Sequence, residues 1–169
     1  MLYWNEKKDL PLKEYCLKEY REFLKFNEDA DCFIKLIENS LCDLKNFEKV
    51  NYARKFLSKD MLNSFIIVGE LSFCLQKTLG SSVCKLKFSM DNMIKNKLIH
   101  PEITFFDYEK IPKIIKKPSK FHKSKNGYDI ILFKYDEKYY KLVVKTTKNK
   151  KENFIKSLHL LNKDRYNKY

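Results

Sequence analysis

Tyr139-Tyr140-Lys141-Leu142-Val143-Val144-Lys145-Thr146-Thr147 and, after a polar connection over 148–152, Asn153-Phe154-Ile155-Lys156-Ser157-Leu158-His159-Leu160 decide the fold. Both stretches are rich in β-branched and aromatic residues, and in both apolar and polar side chains largely alternate, the period of a half-buried strand. Working outward, Asp129–Tyr135 reads as a further strand, joined to Tyr139–Thr147 by the tight Asp136-Glu137-Lys138 connection. Asn126-Gly127, just before it, is the strongest short turn signal in the chain. Residues 129–160 therefore predict a β-meander of three antiparallel strands.

Further upstream the period changes. Ile66-Ile67-Val68 is a short apolar run ended by Gly69, and Glu70–Leu79 reads as a helix closed by Gly80 as a left-handed cap. Val83–Phe88 alternates like a strand. Ser89 caps a helix through Met93, Ile94 and Leu98 to Ile99, and Pro101 biases His100 away from helical geometry, so His100 marks that helix's end. Thr104 and Asp107 form a capping box in acid form, opening a helix Phe105–Lys116 that Pro118 stops. From residue 66 the order is β-α-β-α-α and then the meander. That is an α+β domain, helices packed on a mostly antiparallel curved sheet.

Residues 1–65 read as helical, a region of unknown role distinct from the domain at 66–169. Asp9-Leu10-Pro11 suits a helix start, and Leu12, Cys16, Tyr20, Phe23 and Leu24 form a stripe. Asp29 or Asp31 is expected to cap a second helix bearing Phe33, Ile37, Leu41 and Leu44, and Ala53, Phe56, Leu57 and Met61 suggest a third. Such stripes are core positions far more often than cofactor sites.

Charge divides the chain at the same place. Residues 1–65 hold 12 Lys/Arg against 12 Asp/Glu, net zero; residues 66–169 hold 23 against 10, the whole formal excess of +13. A Lys-rich codon bias explains a high Lys count but not this asymmetry. The excess favours a polyanionic partner, because neutralised phosphates release condensed counterions. The five cysteines, at 16, 32, 42, 74 and 84, form no CxxC pair and read as small buried hydrophobes in a reducing compartment. No apolar run approaches the ~20 residues of a membrane span, and the acid-containing first ten residues are unlike a signal peptide. Three glycines leave no Gly-rich phosphate loop, and no acidic pair joins a His at metal-ligand spacing. No cofactor is expected.

A His, a Lys and a hydroxyl on a small curved sheet are enough to cleave RNA without a metal or cofactor. Cleavage by internal transesterification needs a base for the 2′-OH, cations for the phosphorane, and an acid for the leaving 5′ oxygen. Three histidines are available. His100 ends a helix, where the dipole favours imidazolium; the plainer role is satisfying a helix carbonyl. His122 stands among Lys120, Lys123 and Lys125 in a turn-prone stretch and suits a phosphate contact. His159 shares a face with Ser157 two residues earlier, and Lys141, Lys145 and Thr147 share a face of the preceding strand. Whether those two faces coincide depends on the register across 148–152. Tyr139 and Tyr140 either stack on bases or fill the core.

The ordered set His100-Pro101-Glu102-Ile103-Thr104, Tyr108-x-x-Ile111-Pro112-x-Ile114, Lys138-Tyr139-Tyr140-x-x-Val143-Val144-Lys145-x-Thr147 and Lys151-Glu152-Asn153-Phe154-Ile155-x-Ser157 resembles phage-type nucleases of the barnase–EndoU–colicin–RelE (BECR) superfamily. Val68-Gly69-Glu70-Leu71, before a helix ending Leu79-Gly80, fits the start of that domain; the resemblance covers about residues 66–162. It implies a small metal-independent ribonuclease, a toxin, effector or phage-encoded protein acting in the cytoplasm, in some cases after delivery into a target cell. It implies catalytic roles for His100, Lys145, Thr147 and Ser157; His159, on the same strand face as Ser157, is a further catalytic candidate, and Lys141, Tyr139, Lys120, His122 and Lys123 are candidate RNA contacts. The expected partners are RNA (tRNA or rRNA) and an acidic immunity protein or antitoxin. The family often carries an aromatic residue and Arg after its Ser; here Leu158-His159 stands instead. Two other readings stay open: a non-catalytic RNA- or ribosome-binding protein, and a phage accessory protein that keeps the fold.

Overall fold

The structure, a computed structural model, describes residues 10–124 and 126–169, with side chains from Lys18 onward; Asp9, the side chains of Leu12 and Cys16, and Lys125 lie outside the described residues. Helix α1 runs Leu10–Leu41, followed by α2 (Asn46–Lys55) and α3 (Lys59–Asn63). Then come β1 (Phe65–Glu70), α4 (Phe73–Leu79), β2 (Lys85–Ser89), α5 (Met90–Ile99), α6 (Phe105–Tyr108) and α7 (Ile111–Lys116). Strands β3 (Lys120–Lys123), β4 (Asp129–Tyr135), β5 (Lys138–Thr146) and β6 (Asn153–Leu161) precede a short α8 (Lys163–Asn167). The protein is α+β: the strands form one six-stranded sheet in the order β1-β2-β6-β5-β4-β3, antiparallel at every pairing except the parallel β2–β6.

The expected break at Asp29 or Asp31 does not occur; α1 is continuous. No Gly or Pro follows Pro11 within it, and Phe23, Phe26, Ala30, Ile37 and Leu41 keep one buried helical stripe across both acids. Asp31 instead projects to Lys97 of α5 at 2.8 Å. The helices of the first 65 residues share one buried cluster with Val68, Leu86 and Met93 of the following segment.

Local stop and start signals explain most other boundaries. Ser89 caps α5 by accepting from Asn92 N–H, His100 closes that helix, and Gly80 takes the left-handed conformation at φ 68°. The Thr104/Asp107 capping box forms, but the helix expected over Phe105–Lys116 is two short ones. Pro112 lacks an N–H and fits only a helix start, so α7 begins beside it. Helix α4 starts after Ser72, not at Glu70, because β1 continues through Gly69 to Glu70 across a register shift. The stretch around His122, read as turn-prone, is an edge strand paired to β4, so the meander has four strands. Cys32, Cys42 and Cys74 are exposed free thiols, and Cys84 is half-buried, so the buried role expected of them fails. They sit on outward positions of α1, α4 and the adjoining loops.

One side chain holds the helical layer against the sheet where it matters. Strand β2 pairs with β6 only through Leu86–Asn153 and Lys87–Phe154, so the rest of that β6 edge has no strand beside it. Asn96 of α5, 1 % exposed, takes the vacant place. Its Oδ1 accepts from Leu158 N–H at 2.8 Å, and its Nδ2 donates to Leu158 C=O at 3.2 Å and to Tyr108 Oη at 2.8 Å. A primary amide offers the same donor and acceptor as a backbone peptide, so it completes the ladder. One turn later α5 ends at His100, against the sheet.

Candidate functional site on the open face of the sheet

Register settles which residues meet. Tyr140, Leu142 and Val144 of β5 face the core with Leu158 and Ile155 of β6, all buried. The opposite face carries Tyr139, Lys141, Val143 and Lys145 beside Ser157 and His159. Lys141 lies directly across from His159, and Val143 from Ser157. Between Ser157 and Ile155 the register slips by one, leaving Lys156 as the extra residue of a bulge. The bulge lets Lys156 and Ser157 both avoid the core.

At the centre, the His100 and His159 rings lie 4.0 Å apart, centroid to centroid, at an interplanar angle of 58°. The Ser157 hydroxyl is 2.7 Å from His159 Nε2. His100 Nδ1 faces Glu102 Oε1 at 3.3 Å. A carboxylate, two imidazoles and a hydroxyl thus follow one another across the end of α5 and the face of β6. Burial first, then the neighbouring His100, Lys141 and Lys95, push His159 down to about 4, so its imidazole is neutral at pH 7. Burial also lowers Lys156, with Lys95 and Lys145 adding repulsion and Tyr128 and Asp91 opposing it. Lys95 and Lys141 therefore place positive charge beside His159, and Lys145 and Lys156 add a second basic group further along the strands.

The structure brings His100, His159, Ser157 and Lys141 together. Lys145 stands on the same face four residues along β5, about 13 Å from Lys141 at ~3.3 Å per residue, with its Nζ 4.9 Å from the Tyr128 ring. Thr147 lies past the strand's end, in the β5–β6 connection. Its hydroxyl is 2.6 Å from Asn149 Oδ1 and accepts from Glu152 N–H at 3.1 Å, which fixes that turn. Tyr139 packs on Tyr166 of α8, while Tyr140 is a core residue whose hydroxyl donates to Asp107. Lys120 reaches over Tyr166, and His122 meets Tyr169 edge-on. Lys123 pairs opposite Asp129, whose carboxyl burial pushes up and Lys123 partly restrains.

Sequence reasoning missed Lys95, Lys156, Asn96 and the role of Glu102. Glu102 stood inside the quoted His100-Pro101-Glu102 motif; the others needed the register and the approach of α5. Among the described residues no group of three or more His, Cys, Asp or Glu is arranged to hold a metal ion. No described helix is long and apolar enough to cross a membrane. No family model, no curated protein and no solved structure matches this chain.

Proposed function

We propose that the chain is a metal-independent ribonuclease of the BECR type that cleaves RNA through the substrate's own 2′-OH. The observation that supports this reading best is the His100–His159 pair, with Lys95 and Lys141 beside it on the face of the sheet away from the core. A neutral imidazole is the form that accepts a proton, so His159 is the base for the 2′-OH. The Ser157 hydroxyl at Nε2 marks the place a substrate hydroxyl would take. The 2′ oxygen then attacks phosphorus, and the bond to the 5′ oxygen breaks. His100, paired to Glu102, returns a proton to that 5′ oxygen. Lys141, across from His159, stabilises the phosphorane, and Lys145 holds a neighbouring phosphate. The products carry 2′,3′-cyclic phosphate and 5′-OH ends.

The test is incubation of the purified protein with total RNA and tRNA in EDTA, followed by a synthetic RNA methylated on the 2′ oxygen at the cut. Cleavage of the first and not the second is the expected outcome. His100→Ala and His159→Ala should each cost at least ~10²-fold in rate, Lys141→Ala more than Lys145→Ala, and His122→Ala least. Cleavage of the methylated RNA, or a strict Mg²⁺ requirement, refutes the mechanism. As a toxin, the protein would be held in check by an acidic inhibitor covering this basic face, since opposite charge speeds association. The same lysine face also supports a second reading, RNA or ribosome binding without turnover, which is favoured by Ser157 already occupying the nitrogen of the base. RNA bound with a salt dependence and never cut is the result that selects it.

A further inference from the structure

Lys141 and Lys145 lie four residues apart on the face of β5 away from the core, Lys141 across from His159 and Lys145 across from Phe154 of β6. On the other side, over β4, stand two tyrosines. Tyr128 directly precedes β4, and its ring lies 4.9 Å from Lys145 Nζ. Tyr169 follows α8, and its ring lies 5.3 Å from Lys141 Nζ. Both rings are partly open to solvent, 37 % and 39 % exposed. Lys141 thus joins Tyr169 to His159, while Lys145 joins Tyr128 to the Phe154 end of β6. The cation–π contact keeps each ring beside its ammonium group without enclosing it, and His122 meets Tyr169 only at an edge.

Among the described residues the other tyrosines of this face are engaged differently. Tyr139 packs on Tyr166, and Tyr166 is buried under Lys120. Only an unenclosed ring beside a cation can take a nucleobase while the cation takes the adjoining phosphate. A paired duplex keeps its base faces stacked inside and presents phosphate, sugar and base edges to a shallow face, so such rings have nothing to stack on.

We infer that Tyr169, on the histidine side, and Tyr128, further along β5, are base-stacking subsites, and that the face takes single-stranded RNA, two bases on the tyrosines and their phosphates on Lys145 and Lys141. This inference rests on the reading of the face as an RNA site, not on turnover. It makes the site selective for loops, ends and unpaired segments, with little dependence on base identity, because every base has a π-face.

The test is equilibrium binding by fluorescence anisotropy with a 2′-O-methyl single strand, which the proposed chemistry cannot cut. The competitors are a blunt duplex of the same sequence and an abasic strand of the same length. The single strand should bind at least about tenfold more tightly than either. Tyr128→Leu and Tyr169→Leu should each weaken single-strand binding by about thirtyfold, the middle of the stacking range. Tyr128→Phe and Tyr169→Phe, which keep the ring, should bind as the parent does. Duplex or abasic binding equal to the single strand, or Leu variants that bind like the parent, overturns the inference. Single-strand preference that depends on the two rings, in a protein that never cleaves ordinary RNA, upholds the subsites and refutes the ribonuclease.

Discussion

Asn96 shows how much one side chain decides in this protein. It is buried, makes three hydrogen bonds, and stands in for a missing strand on the free edge of β6. Removing it leaves the Leu158 N–H and C=O without partners in a dry place, each costing about 1–3 kcal/mol. Asn96→Ala should therefore destabilise the fold by about 2–4 kcal/mol, read by urea denaturation. It should also loosen His100 from His159, visible as altered imidazole resonances. His159 supplies the second prediction at this scale. It titrates at about 4 in the folded chain against an ordinary 6.5. Between those values the unfolded chain binds the extra proton, so stability should be full above about pH 6.5 and decline as pH falls toward 4. His159→Asn should flatten the profile in that window. Asp107 acts lower: burial alone would raise it, but Thr104, Tyr140 and Lys138 hold it below 3.8, so its contribution is lost only in stronger acid. Asp129 is raised and works in the opposite sense, favouring the fold as it protonates.

At the scale of elements, two joints fix the layers. Asp107 caps α6 by accepting from Thr104 N–H, and it binds β5 through Tyr140 Oη at 2.7 Å and Lys138 Nζ at 3.0 Å. The carboxylate thus ties a helix start to the strand that bears Lys141. Asp107→Ala leaves the buried Tyr140 hydroxyl without its acceptor and should cost about 2–4 kcal/mol. The other joint is Gly69, where β1 passes α7. A Cβ there would stand 2.9 Å from Ile115 Cδ1, and Ile115 is fully buried. Gly69→Ala should cost about 1 kcal/mol and Gly69→Val up to about 3, as overpacking does in a closed core. Thermal melts of the two variants check both the sign and the order.

On the scale of the whole molecule, the core ignores the charge boundary. Phe23, Phe26 and Ala30 of α1 lie in the same buried cluster as Val68, Met93 and Ile115. A fragment of residues 66–169 exposes that surface, so it should lose the cooperative melt shown by the full chain; a sharp melt would show a self-sufficient domain. The charge matters for partners instead. If Lys95, Lys141, Lys145 and Lys156 each neutralise one phosphate of a single strand, affinity should fall about 50-fold between 50 and 200 mM salt. Binding that is flat across that range would refute a phosphate-directed face.

Strands β4, β5 and β6 of the meander, the Ser89 and Gly80 caps, the Thr104 capping box and the helix end at His100 were all legible in the sequence. Each depends on contacts within a few residues, and hydrophobic period, proline and cap chemistry encode such contacts directly. The continuity of α1 past Asp29 and Asp31 was less legible, because an acid serves equally as a cap or as the partner of a distant Lys97. The strand around His122 was hidden for a related reason: four residues of Lys, Phe and His become a strand only when β4 is there to pair with. The candidate site divides in the same way. Ser157 beside His159, and Lys141 in line with Lys145, follow from the two-residue period of a strand. That Lys141 faces His159, that a bulge at Lys156 shifts the register, and that Asn96 brings His100 to within 4.0 Å of His159 were decided by tertiary structure alone. The first two depend on how β5 and β6 close the sheet, and the last joins residues about 60 positions apart through the docking of α5 on the free edge of β6.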